Sequence, residues 1–244
     1  MPEKTAVRHG GKTYFVSDLH LFARRSQADR HFERIAQAAS QAEHFILGGD
    51  IFDFRWSQAR TIHHAVDDAI RWLAELAARR GECRFHLLLG NHDFHQEFID
   101  RLVSLENAIP NLSWYPYYFR LGSSVFLHGD VADRVMSEEM LTHARSRWLH
   151  RKQRGLLLSR LYDLVVVTHL HRPFPYFRYR KRLVAKRISA YLESIGQGPG
   201  AGVKNVYFGH THQSLIGYEY CGIVFHNSGA PMRGVKFQIL EVAT

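Results

Sequence analysis

An α/β fold, with one mixed sheet or two sheets packed together, is the class this sequence predicts. Three observations carry it. Short apolar strands alternate with helical stripes through the first half, the C-terminal part turns strand-rich, and strand after strand ends in glycine followed by aspartate, asparagine or histidine. With 244 residues and 45% hydrophobic content the chain can bury one sizeable core, which predicts a single domain over residues 1–244.

The first strand lies in "KTYFVSDLHL" and runs out at Asp18 and His20. Phe32, Ile35, Ala36 and Ala39 then fall at helical spacing, and "EHFILGGD" repeats the plan of strand, glycines and aspartate, delivering Asp50. Ile62, Val66, Ile70, Leu73 and Ala77 form a second helical stripe, with Gly81 placed as its C-terminal cap. "CRFHLLLGNHD" is a third strand ending at Asn91 and His92, and a helix follows across "HQEFIDRLVSLEN". "LSWYPYYFRL" and "SSVFLHGD" read as two strands joined in a hairpin at Gly122-Ser123, the second reaching His128. "VKNVYFGHTH", "GIVFHNSG" and "VKFQILEV" complete the strands, and the first of these ends at His210 and His212.

Composition narrows the classes of function. Cys83 and Cys221 are too few for a disulfide framework and favour a reducing cytosol. The N-terminus lacks a long apolar stretch, and no run of about 18 apolar residues occurs, so a cytoplasmic protein is expected, soluble or peripheral on the inner face of the membrane. The net charge of +9 is concentrated: residues 145–187 hold thirteen lysines and arginines against the single Asp163, so this stretch carries +12 and the remainder −3. Trp148, Tyr162, Phe174, Tyr176, Phe177 and Tyr179 interleave with those charges. A cationic and apolar segment suits phosphate, lipid headgroups or an anionic membrane surface, with Arg178, Arg180, Lys181 and Arg182 as candidate contacts. Nucleic acid is a weaker fit to the same features.

The strand ends supply the donor types of a dinuclear metal site: Asp18, His20, Asp50, Asn91, His128, His210 and His212. Two ions roughly 3.5–4 Å apart activate water near neutral pH and hold phosphoryl oxygens, and they need hard oxygen ligands, imidazoles and a bridging carboxylate. D-x-H and H-x-H place both members on one face if the strand geometry continues to the second residue. Gly48, Gly49, Gly90 and Gly209 let the backbone turn where each strand leaves the sheet. Oxygen and nitrogen donors without thiolate suit Mn²⁺ first, with Fe or Zn²⁺ as alternatives. His169 and His171 in "VVVTHLHRP" reproduce the H-x-H spacing without the preceding glycine, and are read as substrate contacts.

"DLH", "GGDIFD", "GNHD", "HGD" and "GHTH", in that order, resemble the five signature blocks of the calcineurin-like metallophosphoesterases. The resemblance implies a four-layer α/β/β/α sandwich with a dinuclear centre. Asp18, His20 and His212 would bind one ion, Asn91, His128 and His210 the other, and Asp50 would bridge. It also implies that His92 faces the phosphate as a catalytic residue and that Asp53 orients it. Chain length, "FVSDLHL", "GNHDF" and the basic, aromatic segment after "HGD" are further similar to the UDP-2,3-diacylglucosamine pyrophosphatases of lipid A synthesis. That similarity implies Mn-dependent pyrophosphate cleavage in a nucleotide-linked lipid and a helical lid, here residues 133–200. The best-known of those enzymes carry arginine at the position of His92 and glutamate at that of Asp53. A nuclease or nucleotide phosphodiesterase, and a non-catalytic scaffold of the same fold, are the alternative readings.

Overall fold

The computed structural model describes residues 11–78, 82–153 and 179–243. Strand β1 (Lys12–Val16) pairs in parallel with β2 (Ala42–Gly48), β2 with β3 (Arg84–Leu88), and β3 with β4 (Leu112–Tyr115). The two-residue β10 (Leu240–Glu241) closes that sheet antiparallel to β1. A second sheet runs in the order β5 (Tyr118–Leu121), β6 (Ser124–Leu127), β7 (Asn205–Phe208), β9 (Ile223–Asn227), β8 (Leu215–Tyr220). Its centre, β6-β7-β9, is parallel, and its two edges are antiparallel.

The period-two alternation of each strand assigns its two faces to two cores. Phe15, Ile46 and Leu88 of the first sheet meet Phe126 and Tyr207 of the second, so these residues fill the layer between the sheets. Tyr14, Val16, Phe45, Leu47, Phe85 and Leu87 point the other way, under helices α1 (Phe32–Gln41), α2 (Ile62–Ala78) and α3 (Gln96–Ala108). On the far side, Val125, Leu127, Val206, Phe208 and Phe225 pack against α4 (Glu138–Ser146) and α5 (Lys181–Ser194). The result is the four-layer sandwich. Strands β1, β2, β3, β6 and β7 all end on one rim, where the crevice of an α/β sheet opens.

Two strand readings change. "LSWYPYYFRL" is not one strand: it breaks into β4 in the first sheet and β5 in the second, with Pro116 at the junction. Proline has no N–H to give a ladder and fixes φ, which suits Pro116 to the bend between two edge strands of different sheets. Strand β8 carries no strong apolar alternation, because it is an edge strand with an exposed face and Gly217 at φ 67°. Of "VKFQILEV" only Leu240–Glu241 is strand. Gly81, Arg178, His169 and His171 lie outside the described residues.

Candidate metal centre

The D-x-H and H-x-H pairs do converge, but not by continued extension. β1 stops at Val16 and β7 at Phe208, and beyond them Asp18, His20, His210 and His212 take φ of 52°, 47°, 65° and 55°. Asp50 joins them at 51°. Left-handed backbone at a non-glycine residue costs roughly 1–2 kcal/mol, so strain is concentrated at the candidate ligands. The glycines also act differently from the sequence reading. Gly49 does turn, at φ 85°. Gly90 and Gly209 instead provide room, since a Cβ on either would collide with Asp50 Oδ1 or Asp18 Oδ2 respectively.

The ligand atoms fall into two lobes. In one, His20 Nε2 lies 3.1 Å from His212 Nε2, and His212 Nε2 is 3.5 Å from Asp18 Oδ1. In the other, Asn91 Oδ1 lies 3.2 Å from His128 Nε2 and 3.1 Å from His210 Nδ1, and the two imidazole nitrogens are 3.3 Å apart. Asp50 Oδ2 stands between the lobes, 3.4 Å from His128 Nε2 and 3.9 Å from His20 Nε2. Asp18, His20, Asp50, Asn91 and His128 are buried, and His210 and His212 are half-buried at the mouth.

This donor set fits divalent cations. Two donors each about 2.1 Å from a shared ion at octahedral or tetrahedral angles stand about 3.0–3.4 Å apart, which is the separation of the paired nitrogens and oxygens here. Asp18, His20 and His212 form one compact ligand group and Asp18, Asp50 and His128 another. Thr211 turns away, as its place between two ligands requires: its hydroxyl accepts from Asn227 Nδ2 at 3.2 Å.

Electrostatics agree with that fit. Burial acts to raise the Asp50 carboxyl, yet His128, His92 and His20 outweigh it and hold the group well below the usual carboxylate range. Burial acts to lower His128, but Asp50, Asp18 and Asp130 push it to about 10. An imidazole held in so negative a field attracts positive charge, and a cation displaces the proton that otherwise answers it. His20 is pushed to about 4, mainly by burial, so its imidazole is neutral as a ligand must be.

His92 and Asp53 are brought together as expected. His92 Nδ1 lies 2.9 Å from Asp53 Oδ1, and the His92 backbone N–H donates to Asp50 Oδ1 at 2.7 Å. Asp53 is fully buried and also receives Arg25 Nη2 at 2.6 Å and the Trp56 N–H at 3.0 Å. His20, Asp53 and His92 form a third compact group, in which Asp53 also accepts from Arg25 and Trp56. Asp93 bonds backbone, accepting from Gly90 N at 2.6 Å and Ile51 N at 2.9 Å, and so fastens the two ligand loops together.

Other members of the site escape the sequence. Asp133 Oδ1 lies 3.2 Å from His210 Nε2 and accepts from the Tyr179 hydroxyl at 2.6 Å, which orients the ring so that Nδ1 faces inward. Arg145, buried at 1% exposure, grips Asp130 through two bonds of 2.8 and 2.9 Å and donates to Leu89 O at 2.8 Å. None of these has a local spacing signature, because each contact joins residues of separate elements. Of the candidate substrate contacts, Arg180, Lys181 and Arg182 are exposed around the start of α5, next to Tyr179.

A protein described as UDP-2,3-diacylglucosamine hydrolase in Pasteurella multocida is 28% identical over 216 residues, 84% of either chain. Another of that description in Haemophilus ducreyi is 24% identical over 214 residues, 84% of this chain and 86% of its own. A solved dimetal phosphatase from Danio rerio superposes with TM-score 0.47 and 16% identity, covering 91% of this chain and 88% of its own. The family described as Calcineurin-like phosphoesterase matches residues 11–214, the span that holds every strand end of the centre, and the chain belongs to that family.

Proposed function

We propose that this chain hydrolyses a pyrophosphate or phosphodiester bond in a nucleotide-linked lipid of the UDP-2,3-diacylglucosamine kind. The observation that carries phosphoester hydrolysis is the His92–Asp53 pair standing at the mouth of a two-lobed donor set. The nucleotide-lipid part rests on the relatives and on the cationic, apolar flank, since His92 and Asp53 are where this chain departs from the lipid enzymes. Asp18, His20 and His212 hold one divalent cation, Asn91, His128 and His210 the other, with Asp50 shared. Mn²⁺ is the preferred metal, with Fe or Zn²⁺ as alternatives. Bound there, the ions supply Lewis-acid activation of water and of the phosphoryl oxygens.

The protein's own groups do the rest. Asp53 accepts from His92 Nδ1, which leaves Nε2 to face the substrate. Burial acts to lower His92, but Asp53 and Asp50 outweigh it and raise the group, which favours the protonated imidazole. His92 Nε2–H neutralises charge growing on the phosphoryl group and passes its proton to the leaving oxygen as the P–O bond breaks. The buried ligand loops exclude bulk water beneath the reacting phosphorus.

The relatives' descriptions and the cationic, apolar flank support the lipid substrate. Arg180, Lys181 and Arg182 are exposed, and Leu183, Val135, Met140 and Ile216 are exposed apolar residues of the described chain. Among the described residues no helix is long and apolar enough to cross a membrane. Contact with an anionic membrane would be peripheral, through the insertion over residues 133–200, of which 154–178 lie outside the described residues. The test is a hydrolysis panel with Mn²⁺: UDP-diacylglucosamine, nucleotide-diphosphate sugars, cyclic nucleotides and single-stranded DNA. Turnover of the UDP-lipid at least tenfold above the others is expected, falling with liposome binding when Arg180, Lys181 and Arg182 are changed to glutamine. Faster turnover of DNA or cyclic nucleotides would replace the lipid reading by the nuclease one.

A further inference from the structure

Among the candidate imidazole ligands, His210 is held from outside the two sheets. His20 Nδ1 faces Asp53 Oδ2 at 3.4 Å and His128 Nδ1 faces Gly48 O at 3.4 Å, groups that belong to β2 and the loop after it. His210 turns Nδ1 to Asn91 and His128, and Nε2 to Asp133 Oδ1 at 3.2 Å. The same oxygen accepts from the Tyr179 hydroxyl at 2.6 Å, and that hydroxyl lies 3.4 Å from His210 Nε2, with the two rings edge to face at 5.9 Å. An imidazole, a carboxylate and a phenol thus close a triangle on the outer edge of a candidate ligand.

A histidine ring has only a broad preference about its last torsion, so which nitrogen faces an ion is set by what the other one meets. An imidazole that ligates through Nδ1 carries its N–H at Nε2, where Asp133 accepts it. Both holders are seated by the layer of α5. Asp133 follows the 3₁₀ turn Asp130–Ala132, whose Ala132 O accepts from Arg187 Nη1 of α5 at 2.7 Å. Tyr179 stands two residues before α5 and packs on the core beneath it.

We propose that Asp133 and Tyr179 are positioning residues for one ion of the pair. By fixing His210, contacts at the start of α5 set the affinity of the Asn91–His128–His210 lobe and leave that of the Asp18–His20–His212 lobe as it is. This deepens the proposed function and rests on its two-metal reading. Linkage makes the effect reciprocal, so an ion in that lobe steadies the start of α5.

Calorimetric titration of the metal-stripped full chain with Mn²⁺, joined to anomalous diffraction from crystals soaked at limiting Mn²⁺, tests this. The wild type should take two equivalents. Asp133→Ala should weaken one of them by about tenfold to a hundredfold, the usual scale for losing the partner of a ligating histidine, and leave the other at its wild-type affinity. The depleted peak should be the one among Asn91, His128 and His210, and the retained affinity of the other reports a folded variant. Tyr179→Phe should weaken the same equivalent by a smaller factor, and Asp133→Asn, which keeps an oxygen for Nε2–H, should lose less than Asp133→Ala. The Leu183 and Val184 amides donate to Arg180 O at 2.8 and 3.0 Å, and their hydrogen exchange should slow as the second equivalent binds, less so in Tyr179→Phe. Unchanged affinities in Asp133→Ala, equal weakening of both equivalents as a general loss of negative charge would give, depletion of the other lobe, or exchange that ignores the second equivalent would overturn the proposal. A chain that shows the split but turns over no UDP-lipid fails the proposed substrate and keeps the positioning pair. Rapid turnover of the UDP-lipid with both affinities unchanged in Asp133→Ala does the reverse, and a wild type that binds a single ion fails both.

Discussion

Five candidate ligands, Asp18, His20, Asp50, His210 and His212, hold left-handed backbone that their side chains disfavour. Such strain persists where the surroundings over-determine it, and here the hydrogen bonds from His210 N to Asp18 and from His92 N to Asp50 do so. Asp50→Ala or His128→Ala should therefore abolish metal-dependent diester hydrolysis and lower the bound metal while far-UV circular dichroism stays native. Full activity in either would remove the centre from the account. His92→Asn tests a different link. It should lower kcat by about a hundredfold or more with metal content unchanged, the usual scale of a lost general acid. A rise in KM alone would make His92 a binding residue only. The seven candidate ligands were legible because each stands at the polar end of an apolar run, in order along the chain. Asp133, Tyr179 and Arg25 were not, since their contacts join residues far apart in sequence.

Between elements, the Arg145–Asp130 pair carries the most weight. It joins α4 to the end of β6 and, through Leu89 O and Pro116 O, to the ends of β3 and β4. Burial acts against both charges, and each offsets the other. Arg145→Met leaves Asp130 buried without its partner and should cost about 3–5 kcal/mol in chemical denaturation. Adding Asp130→Asn should recover part of it; no loss in the single variant would show the pair to be solvated. Existence and order of the parallel strands were plain from alternation and glycine. Register and sheet membership were not: the Pro116 break sends β4 and β5 to different sheets, and β8 hides because an exposed edge needs little apolar pattern.

At the scale of the molecule, the two sheets meet across aromatic residues, and His86 is one of them. It stacks on Phe119 at 4.1 Å with 15° between planes, and its Nε2 lies 2.9 Å from His44 Nδ1. Burial, with His44 and Arg84, pushes His86 from 6.5 to about 4. Above pH 6.5 the ring is neutral in both folded and unfolded chains and its packing contributes fully. As pH falls from 6.5 towards 4 the unfolded chain takes up the proton first, so stability is lost, by about 2–3 kcal/mol at most, with no further loss below. Urea midpoints in EDTA at pH 7 and pH 4.5 should differ less in His86→Phe than in the wild type. Equal slopes would mean that His86 does not couple the sheets to pH.

The sandwich puts five strand ends on one rim, and what that rim holds decides the chemistry. Anomalous diffraction from crystals grown with Mn²⁺ measures it directly. Two peaks about 3.5–4 Å apart are predicted, one among Asp18, His20 and His212, the other among Asn91, His128 and His210, with Asp50 touching both. A single peak, or metal at His169 and His171 with this rim bare, would contradict it.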